Sequence, residues 1–333
     1  MSKAHLNFYC WMKELSKEIK LRTVFMGTSD LSETILKTLI ENKYNVVAVF
    51  TKQDTKIGRG QELTAPLVKQ LAEKNNIPVF QPPRFNAEAV QQLKELKPDL
   101  VIVAAYGRII PSAALEIPGF GCINVHVSLL PKYRGPSPIQ NALLSGEKET
   151  GVTIMLMNEG IDTGDILAQE KITIEPDDNT SILMEKLSII GAKLLLKTIP
   201  LWIERKIEAK PQDNIQATLC QLIEREDGKI FWTDSADDIY NKYRALTPWP
   251  GIFTYWKNDT AIIRLKLISI GLQKINPIGK HQIGEVFEIG SDVGVQTEDG
   301  IIILKEVQKE GKKISTIKEF INGHLNFIGS ILQ

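Results

Sequence analysis

An amide and an imidazole are spaced for joint chemistry in the segment CINVHVSLLPKYRG, residues 122–135. Its apolar start predicts a β-strand over residues 123–127, and Asn124 and His126 stand two residues apart on it. Side chains at positions i and i+2 of a strand point to the same face, so these two polar groups converge. An amide donor beside an imidazole suits the stabilisation of an oxyanion and the transfer of a proton. A turn-forming asparagine and a hydrogen-bonded core histidine are the alternative without function.

A carboxylate follows in a turn that is punctuated by glycines. Residues 160–164 read GIDTG, which places Asp162 in a loop after the predicted strand 151–157. Aspartate beside glycine is also common in purely structural turns, so a turn is the alternative interpretation. Combined with Asn124 and His126, Asp162 supplies the remaining group of a general acid–base site with an oxyanion stabiliser.

Short apolar runs alternate with helical patterns around these residues, which positions them in an α/β domain. The predicted strands cover residues 21–27, 44–50, 77–80, 99–105 and 123–127. We predict an open, doubly wound, mostly parallel sheet covered on both faces by helices over residues 21–208. Such sheets bind ligands beyond the carboxyl ends of their strands, so Gly27, Phe50, Ala105 and Val127 mark the expected functional edge.

The composition of the chain changes after Ala209. A polar stretch that contains proline predicts a linker over residues 209–216. Beyond it, short strand-like runs separated by turns predict a smaller, β-rich, barrel-like C-terminal domain over residues 217–333. These runs cover residues 229–233, 261–270, 284–289, 294–297 and 301–307. Residues 1–20 form a predicted N-terminal extension, which lacks the apolar core of a secretory signal.

The overall composition excludes several classes of protein. In 333 residues, 40 Lys and Arg balance 40 Asp and Glu, so an RNA partner must be held by a local basic patch. The 43% apolar content argues against disorder. No apolar run reaches the ~18 residues of a membrane span, so we expect no membrane partner.

Three cysteines without a CxxC pair exclude a zinc ribbon and fit a reducing, cytoplasmic compartment. The segment after Gly27 is not GxGxxG, which argues against a nicotinamide cofactor, although the fold class alone leaves an oxidoreductase open.

Two long segments resemble the signature of the folate-dependent formyltransferases in the order and spacing of their motifs. They are INVHVSLLPKYRGPSPIQ and GEKETGVTIMLMNEGIDTGDIL. Three more, RTVFMGTSD, KQDTKIGRGQ and TPWPG, are similar to the branch of that family whose acceptor is the amine of methionine esterified to initiator tRNA. The resemblance covers about residues 21–333 and implies a Rossmann-like catalytic domain. It further implies 10-formyltetrahydrofolate as the cosubstrate, initiator methionyl-tRNA as a partner, and no metal.

The resemblance also implies roles for individual residues, with Asn124, His126 and Asp162 as the catalytic trio. Asn124 would donate to the oxyanion that forms when an uncharged amine attacks the formyl carbon, and His126 would stabilise it as an imidazolium. Asp162 would favour that imidazolium and help to collect the proton of the amine. The loop after the strand would line the folate pocket, although a plain strand-to-helix connection would show the same pattern. This loop consists of Ser128, Leu129, Leu130 and Pro131.

Basic residues at two places are predicted to bind tRNA. Lys52, Lys56 and Arg59 lie in a loop beside the functional edge, and the resemblance implies that this loop enters the acceptor stem with Arg59 as its important arginine. A solvated charged loop is the alternative. Residues 213–333 carry 14 Lys and Arg against 16 Asp and Glu, so contacts in the C-terminal domain require a local basic face. The expected contacts there are Arg225, Lys229 and Arg244.

Three functions stay open at this point. The first is formyl transfer to initiator methionyl-tRNA by a monomeric enzyme. The second is another formyltransferase or hydrolase that uses 10-formyltetrahydrofolate and acts on a sugar or nucleotide amine. The third is a non-catalytic tRNA-binding module that has lost its enzyme activity. The loop around Arg59 and the β-rich C-terminal domain favour the first over the second, and the intact catalytic trio argues against the third.

Overall fold

The computed structural model describes residues 21–57, 62–258, 261–274 and 281–333. The predicted N-terminal extension and Arg59 lie outside these described residues. The chain forms two compact units that interleave along the sequence. The first contains the described residues up to Pro136 together with Thr150–Ile172 and Met184–Leu219, and the second contains Ser137–Glu149, Thr173–Leu183 and Cys220–Gln333. The limits that the sequence predicts for the two domains and their linker stay a prediction.

A seven-stranded sheet is the centre of the first unit and confirms the predicted α/β fold. In chain order, the strands are β1 (Thr23–Gly27), β2 (Val46–Phe50), β3 (Thr55–Ile57), β4 (Glu62–Thr64), β5 (Val79–Phe80), β6 (Leu100–Ala104), β7 (Cys122–His126), β8 (Glu149–Leu156) and β9 (Ile166–Thr173). The sheet order is β5-β2-β1-β6-β7-β8-β9, and β3 pairs with β4 as a separate hairpin. Pairing is parallel from β5 to β7 and antiparallel between β7 and β8. The carboxyl ends of β1, β2, β6 and β7 therefore share one edge.

Helices connect the strands of the first unit, and further helices occur in the second unit. In chain order they are α1 (Asp30–Glu41), α2 (Leu67–Lys74), α3 (Ala87–Glu95), α4 (Ser112–Leu115), α5 (Pro138–Leu144), α6 (Thr180–Ile203), α7 (Ala236–Leu246) and α8 (Ile317–Asn322). No helix within the described part of the chain is both long enough and apolar enough to cross a membrane.

The burial of the central strands explains their continuous apolar sequences. Every residue of β1 and β6 is buried, which is typical of strands that have both faces covered. The side chains that α1 buries recur at helical spacing and include Leu31, Ile35 and Leu39. Ser29 and Ser32 close the start of α1 with a capping box, so the helix begins directly after the end of β1.

An antiparallel sheet dominates the second unit and confirms a separate, β-rich C-terminal domain. Its strands are β10 (Ile252–Lys257), β11 (Ile262–Gln273), β12 (Val286–Ile289), β13 (Asp292–Gln296), β14 (Ile301–Lys309) and β15 (Ser315–Thr316). The order is β10-β11-β14-β13-β12, with β15 paired to β14. The strand that the sequence predicts over residues 229–233 is wrong. Only Lys229 makes a bridge, to Phe253, and a turn follows in which the Asp234 amide donates to the Phe231 carbonyl.

Two isoleucines near the functional edge provide a test of this packing. Ile102 in β6 is fully buried, so Ile102→Ala should lower the free energy of unfolding by about 2–5 kcal/mol through lost burial and an unfilled cavity. Ile109, which lies after the same strand and is 85% exposed, is the matched control, and Ile109→Ala should change stability by less than about 0.5 kcal/mol. Equal effects in urea-induced unfolding would contradict the central position of β6.

Candidate active site

The asparagine and the histidine lie at the carboxyl end of β7 in the first unit. Asn124 pairs with Val103 of β6 on one side and with Met155 of β8 on the other, and His126 pairs with Thr153. The two side chains are 8% and 6% exposed, so they are close to solvent but largely shielded. Alternation along the strand gives them the same face, as the sequence predicts.

The imidazole of His126 is held between two oxygen acceptors. Its Nε2 lies 3.0 Å from the carbonyl oxygen of Tyr133, and its Nδ1 lies 3.6 Å from Oδ2 of Asp162. A carbonyl oxygen can only accept, so Nε2 carries a hydrogen. The contact with Asp162 is longer than a hydrogen bond but lies within the range of an ion pair. The doubly protonated ring is the form that offers a hydrogen to both oxygens.

The glycine-punctuated turn between β8 and β9 brings Asp162 to this imidazole. Asp162 has a left-handed backbone, with φ of 51°, and its Oδ2 accepts from the Gly135 amide at 2.8 Å. Within the turn, the Asn158 side chain accepts from the Gly160 amide and from the Thr163 hydroxyl. A Cβ at Gly164 would lie 1.8 Å from the Leu156 carbonyl oxygen, so the turn requires glycine there. The pattern GIDTG thus has both a structural role and a possible chemical one.

A buried hydroxyl shapes the loop that the sequence assigns to the folate. Thr153 Oγ1 donates to the Ser128 carbonyl at 2.7 Å and accepts from the Leu130 amide at 3.1 Å and from the Gln169 side chain at 2.9 Å. Gln169 also donates to the Leu130 carbonyl at 2.8 Å. Ser128 and Leu130 are buried, whereas Leu129 and Pro131 are half-exposed. These latter two are therefore the side chains of the loop most available to a ligand.

Two polar atoms after β6, at the same edge of the sheet, are buried without a partner. The Tyr106 hydroxyl and Arg108 Nε have no hydrogen-bond partner among the described residues. Burial raises the pKa of Tyr106 to about 12, so the hydroxyl keeps its proton and can donate. Unpaired buried donors are uncommon in native proteins, and the Tyr106 ring lies inside the apolar core of the first unit, edge-on to Phe85.

The basic loop begins at the same edge. The backbone amide of Lys52 donates to Thr28 Oγ1, and Lys52 Nζ lies against Gly107, where a Cβ would come within 2.5 Å of it. Asp54, two residues on, accepts from Gln81 and Lys69, and these hydrogen bonds lower the pKa of its carboxyl group below the usual range. Lys56 is exposed in β3. The first part of the loop is thus anchored.

The basic residues predicted in the second unit differ in their exposure. Arg225 is exposed, and Lys229 is half-exposed with Nζ 5.0 Å from the centre of the Phe231 ring and 5.6 Å from that of Tyr255. Arg244 is only 6% exposed, and its guanidinium donates to the carbonyl oxygens of Glu175 and Asp178. The tRNA contact predicted for Arg244 is therefore corrected to a packing role, because a phosphate cannot reach a guanidinium that is enclosed in this way.

Three residues that the sequence analysis missed complete the site. Thr153 and Gln169 organise the loop after β7, and Gln212 contacts both the Arg134 side chain and the turn that carries Asp162. Thr153 could have been found from the antiparallel register with His126, but Gln212 lies in a polar stretch that carries no distinctive pattern. Within the described ranges, no group of three or more His, Cys, Asp or Glu is placed to hold a metal ion.

Comparisons with known proteins agree with this architecture. A family model described as "Formyl transferase" matches residues 21–199, and one described as "Formyl transferase, C-terminal domain" matches residues 222–325. The methionyl-tRNA formyltransferase of Caldicellulosiruptor saccharolyticus is 44% identical over 314 residues, covering 93% of this chain and 99% of that protein. The protein of the same name from Desulforamulus reducens is 42% identical, covering 94% and 98%.

Solved structures share the fold. An N-formyltransferase from Helicobacter canadensis, in complex with folinic acid and dTDP-3-aminofucose, has a TM-score of 0.63 and 23% identity, covering 87% of this chain and 99% of that one. HypX from Aquifex aeolicus in complex with tetrahydrofolic acid has a TM-score of 0.62 and 17% identity, covering 93% and 48%. At these identities the two structures show a common fold only.

The network around Thr153 predicts a cost for removing one hydroxyl. Thr153→Val keeps the shape of the side chain but leaves the Leu130 amide and Gln169 without their acceptor, so it should lower the free energy of unfolding by about 1–3 kcal/mol. Thr173→Val, at an exposed position of the neighbouring strand β9, is the matched control and should have little effect. Thermal or urea unfolding measures the difference, and a neutral Thr153→Val would show that the loop does not depend on this hydroxyl.

Proposed function

This chain belongs to the formyl transferase family, and we propose that it transfers the formyl group of 10-formyltetrahydrofolate to the amine of methionine esterified to initiator tRNA. Relatives named for that reaction match it over nearly their whole length, and the match includes both the catalytic and the C-terminal family domains. The observation that carries the chemistry is the imidazole of His126, which lies beside Asn124 and between the Tyr133 carbonyl and Asp162.

The residues at the carboxyl edge of the sheet fit the formyl donor. The half-exposed Leu129 and Pro131 offer apolar contact for a flat heterocycle. The folate brings the reactive formyl carbon to the site. Ser128 and Leu130 anchor the loop, since they are buried and their carbonyl oxygens accept hydrogen bonds from Thr153 and Gln169.

We propose that Asn124, His126 and Asp162 then act on one carbonyl group. The methionyl nitrogen forms a bond to the formyl carbon while the bond from that carbon to the folate nitrogen breaks. The Asn124 amide and the His126 imidazolium stabilise the negative charge that develops on the formyl oxygen, and each such donor contributes about 10²–10³ in rate. The Asp162 carboxylate lies opposite Nδ1 of His126 and collects the proton that leaves the amine, while the departing folate nitrogen gains one.

Basic side chains in the loop that follows β2 and in the C-terminal domain are the proposed tRNA contacts. Their charge would neutralise backbone phosphates and orient the acceptor end without reading its sequence. Arg244 does not belong to this set because it is buried. The proposed contacts are Lys52, Lys56, Arg59, Arg225 and Lys229.

Formylation of a sugar amine is the second candidate. Its support is the fold shared with the Helicobacter canadensis enzyme, whose structure contains an amino sugar linked to dTDP. The relatives named for the tRNA reaction are much more similar in sequence and are matched over nearly their full length. We therefore favour the tRNA acceptor. We further propose that the enzyme is a monomer and that it works in the cytoplasm, where charged initiator tRNA is available.

Transfer of labelled formyl from 10-formyltetrahydrofolate to charged initiator tRNA tests the reaction and the trio together. His126→Ala and Asn124→Ala should each lower kcat by about 10²–10³, because each removes a donor to the developing oxyanion. Asp162→Asn should lower it by about 10²–10⁴, because the amide cannot accept the amine proton. Asp165→Asn, the same change three residues along the same turn, is the matched control. Full activity in Asp162→Asn, or an equal loss in Asp162→Asn and Asp165→Asn, would contradict the catalytic role of Asp162.

Arg59→Ala should weaken the use of tRNA much more than the binding of folate. Removing one phosphate contact should raise KM for the charged tRNA about tenfold and make its dependence on salt shallower, while the KM for folate stays within about twofold. Lys37→Ala, at an exposed position of α1, is the control for loss of one positive charge. Equal damage to the use of both substrates would mean that the loop is structural.

A further inference from the structure

We infer that Gln212 is a positioning residue that sets the catalytic carboxylate, an inference that rests on the function proposed above. Gln212 lies in the stretch that the sequence predicts as a linker, and the structure gives that stretch a second task. Its side chain connects Arg134 with the backbone of the turn that carries Asp162. All of these residues belong to the first unit.

The amide of Gln212 uses its full hydrogen-bonding capacity. Its Oε1 accepts from Arg134 Nε at 3.1 Å and from Nη2 at 2.9 Å, while its Nε2 donates to the carbonyl oxygens of Asp162 at 2.9 Å and Gly164 at 2.6 Å. A guanidinium can only donate and a carbonyl can only accept, so the orientation of the amide is determined by its partners. A half-buried amide with four matched partners is a rigid connection rather than a surface contact.

The contacts form a closed ring around Asp162. Gln212 holds the carbonyl oxygen of Asp162, and the Gly135 amide holds its carboxylate at 2.8 Å. Gly135 directly follows Arg134, which is the other partner of Gln212. Asp162 is therefore held at its backbone by Gln212, which Arg134 holds in turn, and at its side chain by Gly135, the residue after Arg134. This ring stabilises the left-handed backbone of Asp162, which is unfavourable for a residue with a side chain.

The segment that presents Gln212 is itself fixed to the site. The backbone of Lys210 exchanges two hydrogen bonds with Ile166 at the start of β9, at 2.8 and 2.9 Å. Six residues after Gln212, Thr218 accepts from the Tyr133 amide through its hydroxyl and from the Arg134 amide through its carbonyl. Tyr133 is also the carbonyl partner of His126. Both contacts of the catalytic imidazole are thus supported from this segment.

These contacts determine how a change at Gln212 should act. None of the hydrogen bonds found for Gln212 reaches Asn124 or His126. Two of them act on the turn that carries Asp162. The other two, which a glutamate would keep, act on Arg134 in the loop that carries the Tyr133 carbonyl. Losing the two bonds to the turn would let the carboxylate move from its place opposite His126 Nδ1. A displacement of about 1 Å near reacting groups can cost about 10²-fold in rate, whereas the surfaces that bind the substrates stay in place.

Steady-state formylation of charged initiator tRNA by Gln212→Glu in the full chain tests this inference. Glutamate keeps the acceptor for Arg134 but turns an oxygen toward the carbonyls of Asp162 and Gly164. We expect kcat to fall about 10- to 100-fold while KM for both substrates changes less than about threefold. Gln221→Glu is the matched control, because Gln221 is exposed nine residues further along the chain and the same change there faces no carbonyl of the turn. Its kcat should equal that of the wild type.

A double-variant cycle with Asp162→Asn separates positioning from general damage. If Gln212 acts through Asp162, adding Gln212→Glu to Asp162→Asn should lower kcat less than about twofold further. Independent, multiplying losses would overturn the inference, as would a folded Gln212→Glu with wild-type kcat. Should glutamate prevent folding, judged by circular dichroism, Gln212→Met removes all four hydrogen bonds without adding charge and carries the same test. A wild type that formylates only a sugar amine would refute the proposed function, and the same cycle on that acceptor would still decide the role of Gln212.

Discussion

The site depends on one constraint: the imidazole at the end of a buried strand must face an oxygen acceptor at each ring nitrogen. His126 meets it with a hydrogen bond to a backbone carbonyl from the loop that follows its own strand, and with a longer, ion-pair contact to a carboxylate from the turn between the next two strands. The carbonyl fixes which nitrogen carries a hydrogen, and the carboxylate lies opposite the other nitrogen at 3.6 Å. The rest of the first unit keeps these two oxygens in place. The parallel sheet delivers β7 to the edge, the hairpin of β8 and β9 delivers Asp162, and Thr153 with Gln212 stabilises the connecting loops.

The sequence predicts the parts of this arrangement that depend on local pattern. Continuous apolar runs identify β1 and β6, because strands buried on both faces need no polar alternation. The spacing of Asn124 and His126 gives their common face, and the glycines beside Asp162 give the turn. Burial is less accessible to such reasoning. Arginine is a residue type that often binds phosphate, but in α7 the Arg244 guanidinium is enclosed against the carbonyls of Glu175 and Asp178.

Contacts between distant segments are the part that the sequence does not reveal. Gln212 meets Arg134 and Asp162 across 78 and 50 positions of the chain, and no periodicity records such a meeting. A polar stretch with one proline has the composition of a linker, and only its contacts, those of Gln212 and the pairing of Lys210 with Ile166, distinguish it from one. The predicted strand over residues 229–233 fails for a related reason. Its apolar residues serve packing, as the buried Trp232 donating to Thr254 illustrates, rather than a ladder of strand hydrogen bonds.

Nitrogen-15 NMR of the wild-type chain labelled in its histidine rings measures the central contact most directly. The chain has four histidines, so comparison with His126→Gln identifies the resonances of interest. We expect Nε2 of His126 to carry a hydrogen in every protonation state of the ring, because this nitrogen donates to the Tyr133 carbonyl. A neutral ring protonated at Nδ1, with a bare Nε2, would contradict that geometry and the role assigned to the imidazole.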